Sequence, residues 1–567
     1  MNTDEHRFGP KTENRKLRTM LLLPSLLLLA SCGDREDIFS RSRHVLGPLP
    51  LAGHVAWVDA AREDLVTLEP VASPGGRFSF RVARQALGRN PVMLAATADR
   101  SRALVVTHGT EGGSGYDEEE ERLYLLDPTA HDAARIYRLR SPFDALSLSA
   151  DGRWAIAWFA GGDAVNPNEV AVARLDQDPT ADNPVLLPIR SYGSRPIEIR
   201  YLAGLAIGDR DRQLALVFSE RYVTFLDLEH LDRRVTTVFL SARDDAAIVR
   251  PYDAVVAVGD ATDPEGAEPY VFLRSPSVSD VFVVNLKDNP SPAEDDQNDF
   301  SPSVNVIPVP SAPDDFAVFE GAGGPSLLAV HPAGSASAVT VIDPRTTASW
   351  TVPVDAHANA IRVFPDVPTR DGPRQVAVLF DLGNRYETSA GFLILDGIEE
   401  RLRRNLETID LGAPVMSVIP TGDPLRVLLV HDSVSGSVSI LNVADRTVER
   451  LGVNLLTGVL ATHPEGRSFF FASPEPNRLS MLELETGHAE DIRLDANPAG
   501  LFALPGFTDG GRLRGRALAI DHGYAAGYLT VLPLDAPDRD AAASIQGFLA
   551  DDMLDVAPAR YPGTEVP

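Results

Sequence analysis

The stretch Pro142-Phe143-Asp144-Ala145-Leu146-Ser147-Leu148-Ser149, followed by the turn Ala150-Asp151-Gly152-Arg153 and the run Trp154-Ala155-Ile156-Ala157-Trp158, decides how this chain folds. Two short apolar runs joined by an Asp-Gly turn read as neighbouring strands of a hairpin. After a polar loop a third run follows, Val170-Ala171-Val172-Ala173-Arg174-Leu175-Asp176. The second run is apolar at every position, which marks a strand buried on both faces.

The same order recurs along the body. Leu327-Leu328-Ala329-Val330-His331 leads through a loop to Ala338-Val339-Thr340-Val341-Ile342. Val427-Leu428-Leu429-Val430-His431 leads likewise to Val438-Ser439-Ile440-Leu441, and Phe469-Phe470-Phe471 sits in a fourth such unit. A small sheet that is apolar on both sides acquires a core only when copies stack on it. Prolines precede the first strand of a unit at Pro91, Pro142, Pro196, Pro251, Pro313, Pro414 and Pro498, and units near Asn359 and Thr457 lack one. Nine repeats are therefore apparent. An N-terminal fragment, Val55 to Val82, is expected to close a ring together with the C-terminal segment. Short helical turns are expected only at 227–234, 397–405 and 541–554.

The stretch Val341-Ile342-Asp343-Pro344-Arg345-Thr346 resembles the third strand of the YVTN/YncE class of β-propeller repeat. Val105-Val106-Thr107-His108 resembles its second strand, with His in place of Asn. The resemblance covers roughly residues 50–550 and implies an all-β fold, a β-propeller built from four-stranded blades. It implies no particular activity, because propellers carry many functions.

The first 43 residues read differently. Five basic residues (Arg7, Lys11, Arg15, Lys16, Arg18) precede an apolar run from Met20 to Ala30, too short to span a bilayer. Leu29-Ala30-Ser31-Cys32 follows, and Cys32 is the only cysteine of 567 residues. This resembles the lipobox of bacterial lipoproteins, which implies cleavage before Cys32 and acylation of that residue. Several acyl chains suffice for stable membrane attachment. Gly33 in the next position leans toward the outer membrane. The expected organisation is a lipoprotein signal peptide at 1–31, a tether at 32–43 and a propeller body at 44–567.

Composition narrows the function. The formal charge is −28, and removing residues 1–31 leaves −30, so nucleic acid is not an expected partner. A single cysteine excludes disulfide frameworks and multi-thiolate metal sites. Lys287 is the only lysine of the body, so neither a phosphate-binding loop nor a Schiff-base site is expected. Gly112-Gly113-Ser114-Gly115-Tyr116 fails the nucleophile-elbow spacing. No cofactor is expected.

Two positional patterns remain. Histidines end the second strand of four units, at His108, His331, His431 and His522. They are weak candidates for metal ligands, set against a role in capping loop backbone. Acids stand at the start of the first strand in consecutive units, at Asp144, Glu198, Asp253 and Asp315, with arginines nearby at Arg89, Arg140, Arg195 and Arg250. They are candidates for a ligand site at the channel mouth, set against Arg–carboxylate pairs that staple adjacent blades. Asp117–Glu121 and Ser291–Pro302 read as solvated acidic loops.

The expected function is that of a non-enzymatic cell-envelope scaffold, anchored to the membrane through Cys32, that binds a protein or polysaccharide partner. The alternative is a lactonase-like propeller hydrolase with a polar pocket at the channel mouth. Cys32→Ser tests the anchor. The variant is expected to incorporate no labelled fatty acid and to remain uncleaved or leave the membrane fraction; acylated, membrane-bound Cys32→Ser protein would refute the lipobox.

Overall fold

The computed structural model describes residues 44–549 apart from 74–76, 111–118, 131–133, 162–165, 190–194, 208–209, 244–247, 259–267, 290–297, 322–323, 332–337, 355–356, 397–405, 433–436, 452 and 454–458. The expected signal segment and tether, with Cys32, lie outside the described residues, as does the helical turn expected at 397–405.

Ten four-stranded antiparallel sheets follow one another along the chain, at 45–86, 91–138, 145–188, 196–239, 253–308, 315–353, 360–410, 415–451, 460–493 and 500–546. We number them blades 1 to 10. Within each, the strands lie side by side in chain order, with one hairpin inserted between the first and second strands of blade 10. The first strands of successive blades approach one another, as in blades 4, 5, 6 and 7, which places them around the central axis.

The middle strands carry the core. Trp154–Trp158, Ala103–Thr107 and Ala517–Asp521 are buried at every position. First strands are half-buried, as in Ala145–Leu148, and fourth strands alternate between exposed and half-buried, as in Ser349–Pro353. Both faces of the middle strands meet neighbours. Leu104, Val106 and Leu123 of blade 2 pack on Ala155, Ala157 and Ala171 of blade 3, while Trp154, Ile156 and Val170 turn the other way onto Ala215 and Val217 of blade 4. Successive blades share ten such clusters, and one of them joins the two ends of the chain.

That seam corrects the expected closure. The N-terminal fragment is not half of a composite blade. It belongs to a complete blade 1, with its own first strand Val45–Pro50 and fourth strand Phe78–Ala86. Blade 10 is complete as well, so the ring closes by packing and not by a shared sheet. Val55, Trp57, Val66 and Leu68 of blade 1 meet Ala517, Ala519, Leu529 and Phe548. Trp57 and Phe548 make an edge-on contact with ring centroids 4.8 Å apart.

The inserted hairpin crosses the seam. Its strands, Phe507–Asp509 and Arg512–Arg514, leave blade 10 and lie against blade 1. Gly506 N–H donates to the Ala52 carbonyl at 2.7 Å, and Arg514 pairs with the buried Glu69. Residues 515 and 53 must both be small here. A Cβ on Gly515 would lie 2.3 Å from the Gly53 carbonyl oxygen, and Gly515 has φ +66°.

Two further expectations change. Of the helical turn expected at 541–554, only the end of a short 3-10 turn, Arg539–Ala541, is found among the described residues; Ala543–Gln546 is the fourth strand of blade 10. The end of the acidic insertion at 291–302 is not solvated. Asn298, Asp299 and Phe300 are buried, with Asp299 paired to Arg210, Arg212 and Arg233 of blade 4.

The seam predicts its own weak point. Phe548→Ala removes a fully buried ring from the junction and is expected to destabilise the protein by about 3–5 kcal/mol. Chemical denaturation of the variant checks it, and a loss under about 1 kcal/mol would mean the seam does not carry closure.

Candidate functional site

Strand order places the links into each first strand and the loops after each second strand on one face, here called the upper face. The turns after the first and third strands form the lower face. All four acids and all four histidines named from the sequence stand at the upper face.

The acids do not form one arc. Asp144 is exposed, and its two carboxylate oxygens accept the backbone N–H groups of Ala160 and Gly161 at 2.6 and 3.0 Å. Glu198 pairs with Arg200 of its own strand at 2.8 Å. Asp253 and Asp315 do converge, on an arginine that the sequence reading missed. Arg274 ends the second strand of blade 5, where blades 6 and 8 carry histidine. Its Nε and Nη2 donate to Asp253 Oδ2 at 3.0 and 2.7 Å, and its Nη2 lies 3.8 Å from Asp315 Oδ1.

Arg274 is 7% exposed and stacked, with its guanidinium carbon 4.6 Å from the Tyr252 ring and 5.1 Å from the Phe316 ring. Asp315 continues the chain of contacts into blade 7, accepting the Ile361 N–H at 2.9 Å and lying 3.5 Å from Arg362. Three blades are thus tied at the mouth by one buried cation and two carboxylates. Beside them Asp314 is exposed, and its carboxyl is pushed above the usual carboxylate range by partial desolvation and by the charges of Asp315 and Asp381, against the pull of Arg274.

The arginines named from the sequence take other partners. Arg140 donates to the Ala181 carbonyl at 2.8 Å, and Arg250 lies 3.7 Å from Glu220. The Arg89 backbone N–H donates to Glu119 at 3.1 Å. Arg195 has no acid partner among the described residues. In the acidic loop that ends at Glu121, Glu119 pairs with Arg122 and Glu120 with Arg138.

Arginine–carboxylate pairs between blades gather instead on the lower face. Arg153 and Arg174 of blade 3 reach Glu229 of blade 4. Asp535 of blade 10 pairs with Arg516 of its own blade and with His463 and Arg467 of blade 9, which hold its carboxyl down to about 2.

Three histidines share one arrangement. His331 Nδ1 lies 2.9 Å from the Ser311 carbonyl, His431 Nδ1 3.1 Å from that of Pro414, and His522 Nδ1 2.9 Å from that of Asn497. Each carbonyl belongs to the link that leads into the same blade's first strand. A carbonyl only accepts, so Nδ1 carries the proton, and Nε2 accepts from a hydroxyl on the third strand. Those hydroxyls are Thr340, Ser439 and Thr530, at 2.8, 2.7 and 2.8 Å. Thr340 and Thr530 receive a further hydroxyl from the fourth strand, Thr351 and Ser544.

The sequence carried this signal in a Ser or Thr eight or nine residues after each histidine. His108 differs, its Nε2 lying 2.8 Å from the Phe143 carbonyl that leads into blade 3. Among the described residues no group of three or more His, Cys, Asp or Glu side chains is placed to hold a metal ion.

No known family matches the sequence, and no curated protein matches it. Solved structures do show similar chains. The dihydro-haem d1 dehydrogenase NirN, in complex with DHE, is 13% identical with a TM-score of 0.37, over 83% of this chain and 81% of that one. A eukaryotic initiation factor is 13% identical with a TM-score of 0.41, over 78% and 95%. The WD40 domain of SCAP from fission yeast is 10% identical with a TM-score of 0.34, over 79% and 96%. The likeness is one of fold alone.

The histidine relays predict a pH dependence. Burial lowers the pKa of His331, His431 and His522 from the ordinary 6.5. A group whose folded pKa is depressed binds more protons unfolded, so its contribution is complete above pH 6.5 and is lost as pH falls toward the folded value. The melting temperature is expected to fall on going below pH 6.5. His331→Gln is expected to melt lower at pH 8 but to lose less on acidification, and an unchanged slope would remove His331 as the cause.

Proposed function

We propose that the protein is a lipid-anchored cell-envelope scaffold that binds a protein or polysaccharide partner through its upper face and performs no chemistry there. One observation carries this reading. Of the eight large apolar side chains exposed among the described residues, six stand on the upper face: Ile197, Phe239, Ile248, Tyr386, Met416 and Tyr524. A bias of exposed apolar and aromatic groups to one face supports an interaction surface there.

The Tyr386 loop is also braced. Asn384 accepts the Tyr386 N–H at 3.0 Å, and Gly383 N–H donates to the Val415 carbonyl at 2.9 Å. Tyr386 is 96% exposed on that support, so its ring is presented at small entropic cost. The envelope location rests on the lipobox resemblance at Cys32.

A hydrolase reading asks for a carboxylate directed at an incoming substrate. At the mouth, Asp253 and Asp315 are held by Arg274 and backbone N–H groups, which supports a structural role for them.

The test is a membrane-extract pull-down with residues 44–567. Tyr386→Ala with Ile248→Asp is expected to lose the partner at unchanged melting temperature, while Leu513→Asp on the lower face keeps it. Asp253→Asn is expected to lower the melting temperature by a few degrees and to weaken binding only in proportion. If Asp253→Asn melts at the same or a higher temperature and abolishes binding or turnover, the mouth is a ligand site and the scaffold reading fails.

A further inference from the structure

The hairpin at 507–514 roofs a cavity of about 190 Å³ on the lower face, between blades 1, 2 and 10. An apolar cavity of roughly 150 Å³ holds a benzene molecule, so this one admits a single six-membered ring. Its lining is largely polar and includes four charged side chains, Glu69, Arg81, Asp509 and Arg514. Glu69, 4% exposed at its side chain, accepts Arg81 at 3.0 Å and two bonds from Arg514 at 2.9 Å. Arg514 also pairs with Asp509 at the hairpin tip.

Two carboxylates and two guanidiniums therefore balance across the cavity. A ligand with a net charge would upset that balance inside a half-enclosed space and lose its own hydration with no counter-charge left to meet it. A neutral molecule with several hydroxyls meets no such obstacle. Each hydroxyl both donates and accepts, and two guanidiniums supply ten N–H groups of which the protein uses only some. Thr67, buried at 2%, and Thr129 add hydroxyls to the wall, and Ala83 leaves the space open. Phe507 supplies an aromatic surface, already stacked on His54 with centroids 5.2 Å apart.

The roof is held in place across the seam by the Gly506–Ala52 and Arg514–Glu69 contacts. Glycines with positive φ flank the hairpin at Gly506 and Gly515, at +82° and +66°, and its turn is Gly510-Gly511. We infer that the cavity beneath this hairpin is a binding site for one neutral polyhydroxylated ring, a monosaccharide unit or cyclic polyol, with the hairpin as its roof. The site lies on the face opposite the proposed partner surface and does not depend on that proposal.

Thermal unfolding of the full chain in detergent, with neutral monosaccharides, cyclic polyols, sugar acids, amino sugars and amino acids at millimolar concentration, tests it. A neutral ring should raise the melting temperature progressively with concentration. Ala83→Leu, which fills the cavity, should abolish that rise, and Thr67→Val, which keeps the shape but removes a hydroxyl, should weaken it. Both variants are to be compared with their own ligand-free melting temperatures. Stabilisation by charged compounds alone would overturn the ligand class. A rise that survives in both variants, or no rise with any neutral ring, would overturn the site.

Discussion

The whole structure depends on the middle strands being apolar on both faces. A sheet such as Ala145–Leu148 with Trp154–Trp158 and Glu169–Arg174 has no inside of its own. Burying both faces of every blade leaves no place in the row for a first or a last one, so the row must become a ring. The free energy of the fold is then spread over ten similar junctions. Nine of them are backed by chain continuity between neighbouring blades. The tenth is not, and there the protein adds a large aromatic pair, Trp57 on Phe548, and a hairpin that reaches past its own blade to hold Glu69.

Ring size follows from the same constraint. Propellers commonly have four to eight blades, and ten wedges meet at a smaller angle. Neighbouring sheets therefore stay in contact from the second strand out to the fourth, as Tyr137 of a fourth strand shows by lying in the blade 2–blade 3 core. The first strands are left half-buried around the axis. Acids equivalent in sequence, such as Asp144 and Asp315, find different partners because the second strand of blade 5 ends in Arg274, within reach of Asp253 and Asp315, whereas Asp144 meets only backbone N–H groups.

Most of the blade plan was readable because it rests on local pattern. Apolar runs, Asp-Gly turns and prolines before first strands located nine of the ten blades in their observed order. Blade 1 was read as a fragment because its first strand, Val45–Pro50, includes Gly47 and Pro48 and lacks a continuous apolar run. The site was less legible. Histidine spacing along the chain does not show that Nε2 meets Thr340 or Ser439, since that contact depends on antiparallel register. Arg274 was missed for a related reason. It has the position of a histidine, but its function as a brace arises only when blades 5 and 6 bring Asp253 and Asp315 to either side of it.

The two faces lean on different chemistry, and this bears on where the proposed partner would dock. On the lower face, rims where apolar packing ends are joined by guanidinium–carboxylate networks such as Arg153 and Arg174 with Asp176 and Glu229. Isolated pairs of this kind add little, but networks with fixed geometry add more. On the upper face, three of the links into first strands are fixed from beneath by neutral, buried histidine–hydroxyl relays. A relay of that kind needs no charge at the surface above it. In blade 10 the upper loop can therefore display Tyr524 without competing for the His522 relay that fixes the link beneath it.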